Sequence, residues 1–403
     1  MSEYVEVTNR GIGGRGKDSI GGAIFGLILV AASVVALFWN EGRSVKRYKD
    51  LKEGAGAVVS TQSETVDPSM EGKLIHITGD TKTTAPLQDA DFGIERLAIK
   101  LIRDAEIYQW VEEVHTKERT KTGGTKETVK TYSYDKRWKS GPVDSSRFKV
   151  TSGHQNPKEM KYSSISSLAE DVTVGAFALP GFLVSDIGGA QPLAVENLEK
   201  ASEEVRNTGK LNNGGVYFGS NPGSPDVGDQ RINFQMVPTG PVSVIAQQQG
   251  NTFVPFQTST GGQLDLLETG VVSAPDMFRM AHSRNKWLTM AIRAGGFVLL
   301  GTGFSLILRP IAVLASILPI LGRLVETGTT IIAFLLAAIL WTLTVAVAWI
   351  FYRPILGIGI LLVTSVLIVM VVKRFRRAGV PPALAGPPSL AGPPSLEGPP
   401  PLT

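Results

Sequence analysis

Ile20 to Trp39 reads IGGAIFGLILVAASVVALFW, twenty residues without a charge, and this stretch decides the fold. Crossing roughly 30 Å of hydrocarbon takes about 20 apolar residues at 1.5 Å rise each, because every backbone donor and acceptor has to be satisfied inside the helix. The run therefore predicts a membrane helix. No persuasive small-residue cleavage site follows Trp39, so it is expected to be a retained anchor and not a removed signal.

Working outward, Leu288 to Leu308 meets the same criterion at the cost of one charge, Arg293. Thr330 to Phe351 and Pro354 to Val372 complete a helical hairpin around Tyr352-Arg353-Pro354. Between the second and third spans, residues 311–326 are apolar but broken by Pro319, Arg323 and Glu326, which predicts a segment lying in the membrane interface. The expected fold is a multi-pass α-helical membrane protein of about four transmembrane helices. A large β-rich α+β domain, residues 40–287, is inserted between helix one and helix two. Residues 1–19 read as a flexible leader and 373–403 as a basic, then Pro-rich, disordered tail.

Short flanking loops set orientation through their Lys and Arg content. Lys373, Arg374, Arg376 and Arg377 follow the last span and place that end in the cytoplasm. An even number of spans puts the N-terminus there too, leaving residues 40–287 on the extracytoplasmic side. Arg43, Lys46, Arg47, Lys49 and Lys52 oppose this, but they open a long domain and count for less.

Alternation marks the middle domain as strand-rich: Ile99, Leu101, Ala105, Ile107 and Val111, then Tyr132, Tyr134 and Trp138 after a turn at Thr122-Gly123-Gly124-Thr125. Val242 to Ala246 and Thr252 to Phe256 predict further strands, and Ser273 with Pro275 and Asp276 a helix start. Val174 to Ile187, apolar but too short to span, reads as core or as a dip onto the membrane, core being favoured.

A net charge of +4 without a basic module excludes a nucleic-acid footprint, and the absence of cysteine excludes disulfides and thiolate metal sites. The four histidines, His76, His115, His154 and His282, show no metal-ligand spacing. No catalytic motif and no cofactor site stand out. Weak polar candidates are His76, His154 and Asp229, each with an ordinary structural reading beside it. Gly22 and Gly26 form a GxxxG pair suited to close helix packing. Arg293 reads as a contact to lipid headgroups or, less well, as part of a polar path, since none of the four spans holds an acid to pair with it. Residues 385–402 repeat a Pro-rich hexad, a spacer or a docking motif for a Pro-rich-motif reader.

Several words along the chain resemble the LUMA (transmembrane protein 43) family. They are Asn40-Glu41-Gly42-Arg43, Glu71-Gly72-Lys73-Leu74, Tyr108-Gln109-Trp110-Val111-Glu112, Tyr132-Ser133-Tyr134, Gly153-His154-Gln155-Asn156-Pro157, Val227-Gly228-Asp229-Gln230-Arg231, Val244-Ile245-Ala246-Gln247, Val254-Pro255-Phe256 and Phe351-Tyr352-Arg353-Pro354. They occur in the family's order, over residues 20–372. In animals the resemblance implies the endoplasmic reticulum and nuclear envelope, with emerin and lamins as partners. The Pro-rich hexads depart from the animal pattern and point to a bacterial member in the cytoplasmic membrane, where those partners do not apply. The functional expectation is a noncatalytic membrane scaffold in a lipid bilayer, a homo-oligomer with protein partners not identifiable from sequence. A transporter or channel component, or an outer-domain enzyme acting on envelope lipid, are the alternatives.

Overall fold

The computed structural model describes residues 3–121, 125–315, 319–354 and a few positions between 359 and 373. Residues Met1–Val345 form one compact unit. The first helix, α1, runs Ile12–Ala57, so it does not stop where the apolar run stops. At 1.5 Å per residue its 46 residues measure about 69 Å, more than twice the hydrocarbon thickness. Residues 40–57, expected as the start of the domain, are helical because the charged run after Trp39 is rich in helix formers and carries Val45 and Leu51 on a buried stripe.

The segment read as a leader carries regular structure. Glu3–Arg10 form a strand, β1, at the edge of an eight-stranded sheet. The other strands that matter are β2 (Leu74–Lys82), β3 (Lys100–Thr120), β4 (Lys126–Lys139), β5 (Gly215–Phe218), β6 (Gln230–Val237), β7 (Pro241–Gln249) and β8 (Leu266–Thr269). In the larger sheet the order is β1, β4, β3, β6, β5, then Gly209–Asn212. A seven-stranded sheet is built around β2 and β7, with β8 also pairing β7 and Val59–Ser60 running parallel to β2. β3 and β4 form one long antiparallel hairpin in register from Ile107↔Lys139 to Thr120↔Lys126, whose turn at 122–124 lies outside the described residues. The expected alternation holds in part: Ile99, Leu101, Ala105, Ile107, Tyr132 and Tyr134 are buried, whereas Val111 and Trp138 are half-buried. Val174, Phe177, Leu183, Val184 and Ile187 sit in the core of the smaller sheet, so that apolar run is core and not a membrane dip.

After β8 the chain enters α2, Ala274–Ala315. The Ser273 hydroxyl donates to the Asp276 carboxylate at 2.7 Å, next to the backbone donors that a helix start leaves open. Pro310 lies inside α2 and does not end it. A third helix, α3, runs Pro319–Tyr352 and begins with proline, where the missing N–H costs nothing. Residues 311–315 and 319–326 belong to the ends of two long helices. Among the described residues three helices are long and apolar enough to cross a membrane, Lys17–Ala57, Ala274–Ala315 and Thr327–Tyr352, by length and composition. The fourth span expected at Pro354–Val372, and the Pro-rich hexads, lie largely outside the described residues.

The joint between helices and domain has its own core of Leu51, Leu74, Ile245, Leu264, Met277 and Phe278. Gly54 is needed there, since a Cβ would stand 2.1 Å from the Leu264 side chain and 3.1 Å from Phe278. Gly54→Val should therefore destabilise the joint by about 1–3 kcal/mol. Thermal unfolding in detergent measures this, and an unchanged midpoint would show that the joint is loosely packed.

Candidate functional site: a polar clasp where the helices leave the bilayer

α1 and α2 pack antiparallel along both the apolar stretch and its extension. Within the apolar stretch the contact is made of small residues. A Cβ on Gly26 would stand 2.6 Å from the Gly303 carbonyl oxygen, and one on Gly296 would meet Leu37 at 2.6 Å. Gly22 faces Leu306 more loosely, at 3.8 Å. Of the glycine pair read from sequence, Gly26 lies buried against α2 of the same chain and Gly22 half-buried at the margin of that contact.

Just above, the chemistry changes. The Glu41 carboxylate accepts from Arg293 Nε at 2.6 Å and from its terminal nitrogen at 2.7 Å, a bidentate pair with Glu41 2% and Arg293 18% exposed. Glu41 lies two residues beyond the apolar run, which is why counting acids within the spans leaves Arg293 without a mate. The Trp341 indole of α3 donates to the Arg293 carbonyl at 3.1 Å.

One turn further from the apolar stretch, Arg43 donates to Asn285 Oδ1 (3.2 Å), Asn40 Oδ1 (3.2 Å) and Thr289 Oγ1 (3.1 Å). Asn40 Nδ2 reaches the Thr289 carbonyl at 3.3 Å, and Asn285 Nδ2 the Ser44 carbonyl at 2.9 Å. The Arg43 Nε is buried without a hydrogen-bond partner. Trp39 and Trp287 stand out from the two helices at this level, 61% and 74% exposed, as interface anchors do.

Above the clasp, loop 258–263 grips α1. Lys46 donates to the Gly261 carbonyl at 3.1 Å and Arg47 to the Gln263 carbonyl at 2.9 Å. Asp50 accepts from Thr258 Oγ1 at 2.6 Å and from Thr260, while Glu53 accepts from the Ser259 N–H at 2.9 Å. Three of the five basic residues that weigh against the orientation, Arg43, Lys46 and Arg47, are thus occupied in holding the helix to its domain.

Comparison with known proteins bears on this architecture. The family model described as Transmembrane protein 43 matches residues 107–354. Transmembrane protein 43 of Rattus norvegicus is 36% identical over 366 residues, covering 87% of this chain and 90% of its own length. The Homo sapiens protein is 35% identical over 349 residues, 84% of this chain and 86% of its own, and the Drosophila melanogaster homolog 32% over 355, 84% and 91%. The chain belongs to the transmembrane protein 43 family. No solved structure matches it.

The remaining polar candidates of this family member are separately bound into the fold. His76 is buried, its Nδ1 3.2 Å from Ser60 Oγ and its Nε2 3.0 Å from the Val272 carbonyl, so it ties the smaller sheet to the segment that leads into α2. His154 stacks on Tyr134 at 4.0 Å, meets Trp110 edge-on at 4.7 Å, and its Nδ1 lies 3.1 Å from the Val150 carbonyl. Asp229 accepts from Tyr217 Oη and from the Asp226 N–H at 2.9 Å, which locks the turn after β5. Burial, then Asp229, pushes the Tyr217 phenol up. Among the described residues no group of three or more His, Cys, Asp or Glu side chains is placed to hold a metal. A surface cavity of about 500 Å³ is walled by Arg96, Glu95, Asn197 and Lys200, among others, and none of the residues singled out above lines it.

Two outcomes follow from this geometry. Removing one partner of a buried ion pair costs about 3–5 kcal/mol, whereas replacing both is far milder. Glu41→Gln and Arg293→Met should each lower the unfolding midpoint in detergent strongly, and the double variant by less than their sum; additive losses would mean that the two do not act as a pair. The second concerns pH. Burial holds His76 and His282 below their ordinary value of 6.5, so the folded chain binds fewer protons than the unfolded one just below that pH. Stability should therefore rise with pH up to about 6.5 and be lost on acidification below it. His76→Asn should flatten that slope in a series of thermal melts from pH 5 to 8, and an identical slope would show that His76 contributes nothing.

Proposed function

We propose that this protein is a noncatalytic membrane scaffold whose β-rich domain is held at a fixed attitude over the bilayer. The observation that carries this reading is the continuity of α1 and α2 from the apolar stretch into the domain, locked at the boundary by Glu41–Arg293 and the Arg43 network. Two struts packed side by side and joined at the lipid surface resist tilting as a single flexible tether does not. Such a joint suits a protein that positions partners relative to a membrane.

In this reading residues 40–287 face the extracytoplasmic side and both termini the cytoplasm. Support comes from the basic cluster after the last span and from the structural use of Arg43, Lys46 and Arg47. Self-association forms part of the scaffold reading, and it must use a surface other than Gly26, which α2 covers. Transport is disfavoured because Arg293 is engaged by Glu41, and the contact of the three helices below it is lined by Leu37, Leu300 and Ala337.

The test uses the absence of native cysteine. Asn251→Cys in the domain and Lys17→Cys before the first span should react with a membrane-impermeant maleimide from opposite faces of sealed vesicles. Reconstituted wild type should pass no solute of a broad panel. Labelling of both sites from one face would overturn the topology, and a flux abolished by Arg293→Leu would replace the scaffold by a transporter.

A further inference from the structure

α1 and α2 distribute charge unevenly where they leave the lipid. Trp39 and Trp287 mark that level, and the headgroups of one leaflet extend about 5–7 Å beyond it. Over residues 40–57 and 274–293 bases outnumber acids, and each acid is engaged by the protein. Glu41 accepts from Arg293, Asp50 from Thr258, Glu53 from Ser259 and Asp276 from Ser273. Lys46, Lys49 and Lys286 are exposed. Lys46 uses one of its three ammonium donors on the Gly261 carbonyl, and among the described residues no acid pairs with any of the three lysines.

The opposite directions of the two helices aim these lysines at one layer. Side chains on a helix lean toward its N-terminus. α1 leaves the lipid with its N-terminus behind it, so Lys46, about 10 Å beyond Trp39, leans back toward the headgroups. Lys49, about 15 Å beyond Trp39, leans the same way and stays within a Debye length, about 8–10 Å, of the outermost phosphates. Lys52, about 20 Å out, does not. α2 runs the other way, and Lys286, beside Trp287 at the hydrocarbon edge, leans outward from it. Lys46 also follows Trp39 by two helical turns, so the ring and the ammonium share a face of α1.

The ligand chemistry follows from what this layer contains. A lysine stem covers apolar surface while its ammonium reaches a phosphate, and the indole beside it holds the depth. A zwitterionic headgroup supplies its own cation for that phosphate. An anionic headgroup leaves the phosphate to the protein, and each lysine close to an anionic surface strengthens binding by about five-fold. The three lysines therefore discriminate between lipids by net charge.

We propose that Lys46, Lys49 and Lys286 form a collar that binds the headgroups of anionic phospholipids in the leaflet on the domain's side. The clasp joins the two helices to each other, and the collar selects the lipid that surrounds them. The proposal goes beyond the scaffold reading and does not rest on it. It requires only that α1 and α2 enter the lipid at Trp39 and Trp287.

Native mass spectrometry of the full chain in detergent, titrated with dioleoyl phosphatidylglycerol or dioleoyl phosphatidylcholine, decides it. The wild type should bind phosphatidylglycerol about ten-fold or more tightly than phosphatidylcholine at low salt, and the preference should shrink as salt is added. Lys46→Gln/Lys49→Gln/Lys286→Gln should remove most of that preference, and arginine at the same three positions should keep it. Lys82→Gln/Lys158→Gln/Lys200→Gln, three exposed lysines of the β-rich domain, should leave it unchanged. Inorganic phosphate, compared with chloride at equal ionic strength, should not displace the bound lipid. Equal binding of the two lipids by the wild type would overturn the proposal, as would a preference that the collar variant keeps or that the domain variant loses to the same extent. Displacement by inorganic phosphate would replace the lipid by a soluble anion.

Discussion

Where α1 and α2 leave the lipid, Glu41 and Arg293 meet in a bidentate pair, and the placement of the remaining parts depends on it. Arg293 lies about 8 Å into the apolar stretch of α2, counted from Leu288. In hydrocarbon an unpaired guanidinium must bend toward the headgroups or draw water inward. Glu41 removes that need by supplying both acceptor oxygens from the neighbouring helix. The pair also sets the axial register of the two helices, because a slide of one residue, 1.5 Å, breaks a bidentate contact of 2.6 and 2.7 Å. Apolar packing alone is far more tolerant of sliding.

Given that register, the parts on either side fall into place. Below the pair, Gly26 meets Gly303 and Gly296 accepts Leu37, so the backbones approach closely along the apolar stretch. Above it, Arg43, Asn40, Asn285 and Thr289 form a network in which the buried polar groups are hydrogen-bonded, Arg43 Nε excepted. Higher still, loop 258–263 closes on Asp50 and Glu53, and Leu51 and Phe278 join the domain core. The order runs from small residues through charges to apolar core, following the solvent from lipid to interface to protein interior. The domain is thereby coupled to the bilayer through two helices and not through a linker.

Local pattern carried much of this. The uncharged run Ile20 to Trp39, the alternation through Ile99 to Ile107, and the Ser273–Asp276 helix start depend on residues close together in the chain, and each was legible. Three features were not. β1 is an edge strand whose partner lies more than a hundred residues away, and a polar octet before a glycine-rich stretch has no local sign of pairing. Helix α1 outlives its apolar run because its second half is buried by the domain, which periodicity near Trp39 does not reveal. Pro319, Arg323 and Glu326 looked like interruptions, yet Pro319 begins a helix.

By itself the sequence determined that this chain lives in a membrane, that a β-rich domain separates its first span from the rest, and which family's words it carries. Those follow from solvation of consecutive residues, where position along the chain suffices. Only the tertiary structure decided that Glu41 is the mate of Arg293, that Gly26 packs against α2 of the same chain, and which groups His76, His154 and Asp229 hydrogen-bond. Each of these is a pairing between distant side chains. Such a pairing exists only once two helices or two sheets have taken up a register, and no local spacing encodes it.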